Sequence, residues 1–384
     1  MSLFNVYPLF DITPVKANDV YVYDENGTQY LDLYGGHAVI SIGHSHPTYV
    51  EKLTNQLSNI GFYSNSIQNP LQQELANKLT TLSNCESYEL FLCNSGAEAN
   101  ENAIKLASFH TGKHKIVAFK NAFHGRTSAA VAATDNAKIV APVNAQHAVE
   151  FIEYGDVASL HDVLAKGDVC AVITEIIQGV GGLDEATTEL YKTVTTLCNK
   201  YGSLFIADEV QSGFGRTGDF FAFQKHGIEP DIISMAKGMG NGFPVGGILI
   251  HPKIKASFGL LGTTFGGNHL ACTASLSVLE TIEKENLLDN VKEVSSYFIN
   301  KVQQISEIRN IKGRGLMLGL EFDFPIAELR KDLIFNHHIF TGSSKNPNLL
   351  RILPSLTVKK EHVDVFINAL IKALTNVTSY LPKK

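Results

Sequence analysis

Two apolar runs in the middle of the chain constrain its fold more than any other feature. Leu204-Phe205-Ile206-Ala207 ends in Asp208, and Ile232-Ile233-Ser234-Met235 leads through Ala236 to Lys237. Each run has strand length, is rich in apolar residues and is bounded by Gly or Pro. Leu90–Cys93, Ile116–Phe119, Val169–Ile173 and Gly247–Ile250 repeat the pattern. Helical patterns alternate with them, over Pro70–Leu82 and over the segment carrying Ala103, Ile104, Leu106 and Ala107. Strands alternating with helices predict an α/β domain: a mostly parallel sheet with helices on both faces.

The ends of the chain read differently. Val20–Tyr23 and Tyr30–Leu33 flank Asp24-Glu25-Asn26-Gly27, and Asn-Gly is a strong hairpin signal. Beyond residue 270, helical patterns over Leu270–Glu283 and Leu288–Gln304 precede Gly315–Phe322, a further helix, a strand near Leu349–Ile352 and a last helix near Val363–Leu374. The expected division is 1–45 as an N-terminal segment, 46–270 as the large domain and 271–384 as a smaller α+β domain that the N-terminal segment joins.

Composition excludes several classes. The chain of 384 residues has a net charge of -6 and no Lys/Arg-rich stripe, which argues against nucleic acid. Its five cysteines, Cys85, Cys93, Cys170, Cys198 and Cys272, form no CxxC pair, so neither a disulfide framework nor a zinc site is indicated. His44 and His46 lack a third ligand nearby and read as hydrogen-bonded turn residues, so no metal is expected. No secretory signal and no membrane-length apolar run is evident, which points to a cytoplasmic protein without a membrane partner.

In open α/β sheets, ligands bind at the carboxyl ends of strands. Asp208 and Lys237 would meet there. A carboxylate for a pyridinium nitrogen and an amine for an aldehyde suit pyridoxal phosphate. The plain alternative is a pair of solvated loop residues. Asn94-Ser95-Gly96-Ala97, at a strand-to-helix turn, offers a phosphate seat or only an N-cap. In Asn121–Thr127, Phe123 could lie against a ring and Arg126 could fork a carboxylate; a core Phe and a surface Arg are the ordinary reading. Gly262–Asn268 is a second Gly/Thr loop before a helix, a further phosphate contact or a plain cap. Gly238-Met239-Gly240-Asn241-Gly242 is not a dinucleotide fingerprint, because it lacks the strand-turn-helix setting. Its glycines read as room beside Lys237.

Taken together, in this order and spacing, the motifs are specific. YLDLYGGHAVISIGHSHP, NSGAEANENAIKLA, FHGRT, EIIQGVGG, ADEVQSGFGRTG, AKGMGNGFPVG, GTTFGGN, GRGLMLGLEF and RILPSL span nearly the whole chain. The chain resembles the class III aminotransferases, pyridoxal-phosphate enzymes of fold type I, and within them the acetylornithine/succinylornithine branch.

The resemblance implies roles. Lys237 carries the cofactor and shuttles the proton, and Asp208 pairs with the pyridinium nitrogen. Val210 and Phe123 pack the two ring faces, and Gln211 reaches the phenolic oxygen. Ser95, Gly96 and Ala97 cup the phosphate. Thr264 is the phosphate contact given by a second subunit, with Thr263 near the substrate, so a homodimer with interfacial active sites is expected. Arg126 binds the amino acid's α-carboxylate and Arg351 a carboxylate of glutamate or 2-oxoglutarate. The implied reaction moves the δ-amino group of an N-acetyl- or N-succinylornithine to 2-oxoglutarate, with ping-pong kinetics, in arginine biosynthesis.

One stretch departs from the family's pattern. EIIQGVGG has Ile176 where relatives carry Pro and Val180 where they carry a second Glu, the partner of Arg351. Arg351 is therefore expected to stay free for a carboxylate from either substrate, while Glu175 is expected to be structural. The alternatives are another class III ω-aminotransferase acting on ornithine, lysine, putrescine or 4-aminobutyrate, an aminomutase, and a non-catalytic scaffold.

Overall fold

The computed structural model describes residues 3–378. Strands β1 (Pro14–Asn18), β2 (Tyr21–Asp24) and β3 (Gln29–Asp32) open it. The β2–β3 turn forms where the Asn-Gly signal predicts one. Asp24 Oδ1 accepts from the amides of Asn26 (2.9 Å) and Thr28 (2.8 Å), and Gly27 takes a φ of 81°.

Seven strands follow: β4 (Glu89–Cys93), β5 (Lys115–Phe119), β6 (Val149–Ile152), β7 (Val169–Glu175), β8 (Leu204–Asp208), β9 (Ile232–Met235) and β10 (Gly246–Ile250). They form one sheet in the order β4-β10-β9-β8-β7-β5-β6. Only β10 runs antiparallel to its neighbours. Every residue of β7, β8 and β9 is buried. Helices cover both faces of such a sheet, so its central strands are apolar throughout instead of alternating.

The remaining strands are β11 (Asn310–Arg314), β12 (Met317–Glu321), β13 (Ile339–Phe340), β14 (Gly342–Ser343) and β15 (Leu349–Ile352). β11, β12, β15 and β14 make an antiparallel sheet in that order. β13 instead pairs in parallel with β3, matching Ile339 to Leu31. The N-terminal hairpin is thus one sheet with a piece of the C-terminal part.

The helix His269–Lys284 lies against the helices Pro47–Asn59 and Pro70–Leu82. Lys52 pairs with Glu280, and Lys78 with Glu283 at 2.6 Å, across those contacts. His44 bonds Asp32 and His46 bonds Glu285, each at 2.9 Å, so both histidines are hydrogen-bonded turn residues. Among the described residues no helix is long and apolar enough to cross a membrane.

The sequence reading passed over β1, β6 and the helices Val157–Leu164 and Thr188–Tyr201. β6 is four residues at the sheet edge, too short for a period to register. The last helix reads TELYKTVTTLCNKY, whose four threonines mask an apolar stripe of Leu190, Val194, Leu197 and Cys198.

Candidate active site

The carboxyl ends of five strands converge on one cavity of about 370 Å³. β4 runs into Asn94 and Ser95, β5 into the loop of Phe123, β7 ends in Glu175, β8 in Asp208, and β9 leads to Lys237. The antiparallel β10 brings Phe243, Pro244 and Val245, just before its amino end. The cavity sits where the strand ends of an open α/β sheet place a ligand.

Asp208 is buried and its carboxylate is fully partnered on one side. Oδ2 accepts from Asn100 Nδ2 and from His124 Nδ1, both at 2.7 Å, and Oδ1 accepts from the Val210 amide at 3.0 Å. Asn100 is itself fixed by Ser234 Oγ, which donates to Asn100 Oδ1 at 2.5 Å. Three charge-assisted bonds aim the carboxyl group into the cavity.

Lys237 follows β9 in a left-handed backbone conformation, φ 46°. A non-glycine residue there is strained by about 1 kcal/mol or more and persists only where its surroundings hold it. Asn241 does the holding: its Oδ1 accepts from the amides of Ser41 and Ile42, its Nδ2 donates to Gly43 O, and Ser41 Oγ donates to Gly238 O. Gly238–Gly242 is therefore the seat of this clasp. A Cβ on Gly240 would strike Phe243 O, so that glycine serves a close backbone approach rather than room beside the amine. Burial pushes the Lys237 amine down to about 8, against the opposing pull of Asp208 and Glu175; the charges of Arg351 and Arg216 lower it further.

Glu175 accepts from the amides of Phe123 (2.9 Å) and Gly179 (2.8 Å). It joins two cavity loops and also lines the cavity, so it is a structural residue exposed to the chemistry. Burial raises it to about 7; His124 opposes the rise and Asp208 adds to it.

At the other end, Ser95 caps the helix Gly96–Thr111 by accepting from the Glu98 amide at 3.2 Å. The plain capping reading is thus realised. The amides of Gly96 and Ala97 begin the helix and have no intrahelical acceptor, so the anion seat exists beside the cap. A Cβ on Gly96 would come 2.6 Å from Val210 Cγ1, so only glycine lets Val210 stand against this turn.

The predicted residues divide by place. Ser95, Gly96, Ala97, Phe123, Arg126, Asp208, Val210, Gln211 and Lys237 line the cavity. Arg351, Thr263 and Thr264 do not. Arg351 donates from Nη1 to Gly179 O at 2.8 Å, and its buried Nε has no hydrogen-bond partner. Thr263 Oγ1 accepts from the Gly266 amide at 3.0 Å, and Thr264 is exposed outside the cavity. Sequence reasoning missed Asn100 and His124 as partners of Asp208. His124 adjoins Phe123 in a motif already singled out, and Asn100 lies one and a half turns into the helix that Ser95 caps. Only the fold shows that either reaches β8.

The residues fit pyridoxal phosphate on the chemistry of the donor set. An amine of lowered pKa, a carboxylate pinned by three donors and a helix N-terminus answer its aldehyde, ring nitrogen and phosphate. Gln211 Oε1, buried on the cavity wall, is an acceptor without a partner, while Gln211 Nε2 donates to His37 O at 3.4 Å. The fold and site define an enzyme that works on amino groups through that cofactor.

The sequence pattern of the aminotransferase class-III family matches residues 5–374, and the chain belongs to that family. It is 38% identical over 381 residues to the acetylornithine aminotransferase of Bacillus subtilis (strain 168), covering 98% of each chain. To the acetylornithine aminotransferase of Archaeoglobus fulgidus it is 40% identical over 359 residues, covering 93% of this chain and 94% of the other. An ornithine aminotransferase of Toxoplasma gondii, solved with PLP at partial occupancy in its active site, matches with a TM-score of 0.90. That match has 26% identity and covers 98% of this chain and 92% of the other. The protein is a pyridoxal-phosphate-dependent aminotransferase.

Proposed function

We propose that the enzyme moves the δ-amino group of an N-acylornithine to 2-oxoglutarate, giving the N-acyl semialdehyde and glutamate, a step of arginine biosynthesis. Relatives near 38% identity over almost their whole length, named acetylornithine aminotransferases, support the donor. The observation that carries the reading is a pair of arginines without acidic partners. Among the described residues no ion pair includes Arg126, at the cavity wall, or Arg351, which donates to Gly179 O. One amino-acid carboxylate and the carboxylates of 2-oxoglutarate are the ligands such cations take.

Lys237, Asp208, Phe123, Val210, Gln211, Ser95, Gly96 and Ala97 would hold the cofactor, as the sequence reading assigns them. Bound there, pyridoxal phosphate supplies the carbonyl that receives the amino group and a ring that takes up the electron pair when the donor C–H bond breaks. Asp208, pinned by His124 and Asn100, keeps a ring nitrogen protonated. Lys237 Nζ takes the proton from the donor carbon that bears the amino group. In the second half it returns a proton to Cα of the product glutamate. A pKa near 8 makes that amine usable close to neutral pH. Arg126 orients the donor's α-carboxylate and so presents the far, δ-amino end to Lys237.

The working unit in this reading is a homodimer with the active site at its interface. The exposed Thr264, between Thr263 and Phe265, supports it, as does the apolar surface of Phe62, Tyr63, Phe258 and Phe265 around that loop. Residues 1–45, 46–270 and 271–384 are our domain assignment. Five unpaired, buried cysteines support a reducing, cytoplasmic setting. Ornithine as donor is the second reading, favoured by the solved ornithine aminotransferases of the same fold. A panel of ornithine, its N-acetyl and N-succinyl derivatives and 4-aminobutyrate, each with 2-oxoglutarate, tests the proposal. An N-acyl compound must have the highest kcat/KM; preference for free ornithine or 4-aminobutyrate refutes it.

A further inference from the structure

The loop that carries Arg126 is held on both sides of that residue. Before it, Asn100 Nδ2 donates to His124 O at 2.8 Å as well as to Asp208. Gly125 takes a φ of 134° and passes so close to the turn of Ser95–Ala97 that a Cβ there would stand 2.7 Å from Ala97 Cβ. After it, the Thr127 hydroxyl donates to Glu101 Oε2 at 2.6 Å and lies 3.2 Å from Ala97 O. Asn100 and Glu101 are consecutive residues of the helix Gly96–Thr111, so one turn of that helix frames the loop. Between these fixed points the Arg126 side chain is exposed at the cavity wall, and among the described residues no ion pair includes it.

The short helix Ser128–Ala132 begins just after Arg126, and its N-cap residue, Thr127, gives it no side-chain cap. Glu101 supplies the cap from the neighbouring helix. Its Oε2 accepts from the amides of Ala129 (2.9 Å) and Ala130 (3.1 Å), and its Oε1 from Ala129 at 3.0 Å. Those are the second and third helical positions, whose amides have no intrahelical acceptor and ordinarily bond an N-cap side chain. A carboxylate there also meets the positive end of the helix dipole, and its bonds are charge-assisted. A helix of five residues is too short to be stable unaided, so this outside cap bears on how the chain leaves Arg126. Both Glu101 oxygens are spent on it, and no ion pair among the described residues joins Glu101 to Arg126. The cation stays available to a ligand although an acid supports its loop.

We propose that Glu101 is a positioning residue for donor recognition: by capping the helix Ser128–Ala132 from outside, it sets the direction in which Arg126 presents its guanidinium to the donor's α-carboxylate. This rests on the reading of Arg126 as the partner of that carboxylate and adds the residue that aims it. Glu101 does not line the cavity and acts through the loop. A misplacement of about 1 Å made away from the reacting atoms is enough to cost about a hundredfold in rate.

The test compares kcat/KM for N-acetylornithine with that for N-acetylputrescine, the same donor without its α-carboxylate, using holoenzyme and 2-oxoglutarate. Glu101→Ala should lower kcat/KM for N-acetylornithine about 10- to 100-fold, chiefly through KM, and leave N-acetylputrescine within about twofold. Glu101→Gln keeps one acceptor oxygen and should recover part of the loss. Calorimetry on the holoenzyme gives a readout free of turnover. The Kd of N-acetylnorvaline, which has the carboxylate and no δ-amino group, should rise with KM, while the apoenzyme keeps its affinity for pyridoxal phosphate. A purely structural role would weaken both donors alike, so equal losses on the two, or no loss in Glu101→Ala, overturn the positioning role. Arg126→Met separates this proposal from the reading beneath it. If it leaves the ratio of the two donors unchanged, the assignment of Arg126 falls and takes the proposal with it. If it brings the ratio to near one while Glu101→Ala keeps it, the positioning role alone falls. If N-acetylornithine does not react, the N-acylornithine reading falls, and ornithine against putrescine decides Glu101 in the same way.

Discussion

His124 Nδ1 lies 2.7 Å from Asp208 Oδ2, with both side chains buried beneath the cavity floor. The bond couples the loop after β5 to the end of β8 and leaves Asp208 one direction in which to act. His124→Ala removes one of three donors from a buried carboxylate. The loss of a bond to a charged group, about 1.5–3 kcal/mol, predicts a fall in kcat of about 10- to 100-fold with the fold retained. Steady-state kinetics and circular dichroism check it. A variant with unchanged kcat would show that Asp208 needs no help from this side.

Lys237 sacrifices stability for chemistry. Its folded pKa, about 8, lies below its ordinary 10.5. Between those values the unfolded chain binds a proton that the folded chain does not, so apoenzyme stability rises with pH across that window. Lys237→Met should abolish activity and borohydride trapping of the cofactor. It should also stabilise the apoenzyme at pH 7 by about 1–3 kcal/mol, the difference closing above pH 10. Denaturant melts of both apoproteins at pH 7 and 10 decide it.

Glu209 behaves in the opposite sense. It follows Asp208, is fully buried, and accepts from the Phe223 amide (2.9 Å) and Ser212 Oγ (2.6 Å). Burial raises it from 4.5 to about 7. A raised carboxyl contributes stability that is complete below pH 4.5 and is lost as pH rises through 7. Glu209→Gln should match the wild type at pH 5 and exceed it at pH 8 by about 1–3 kcal/mol. Thermal midpoints at the two pH values test this; a variant weaker than wild type at pH 8 contradicts it.

Gly96 tests the phosphate end. Gly96→Ala sets a methyl 2.6 Å from Val210 Cγ1 and 3.0 Å from Cγ2, which displaces Val210 from the cavity wall. Overpacking of this kind costs about 1–3 kcal/mol, and we expect pyridoxal phosphate to bind at least about tenfold more weakly. Adding Val210→Ala should restore most of the affinity, because the two changes share one space. Equilibrium titration of the apoproteins measures both effects. Failure of the second change to rescue the first would place the damage elsewhere.

Much of the sheet was legible because its strands are buried on both sides and read as unbroken apolar runs. Asp208 and Lys237 were legible because each ends or follows such a run. His124 and Asn100 were not, since what matters is their approach to β8 across 84 and 108 residues of sequence. β6 and the threonine-rich helix Thr188–Tyr201 were lost to shortness and to composition.

The central claim, amino transfer from an N-acylornithine to 2-oxoglutarate at the Asp208–Lys237 site, is tested most directly in two halves. Holoenzyme is mixed with N-succinylornithine alone, and cofactor absorbance and semialdehyde are measured; 2-oxoglutarate is then added. The account predicts one equivalent of semialdehyde per site with loss of the resting absorbance, then its return with one equivalent of glutamate. The same holds for N-acetylornithine. No change on adding either N-acyl donor, while ornithine or 4-aminobutyrate does convert the cofactor, would contradict it.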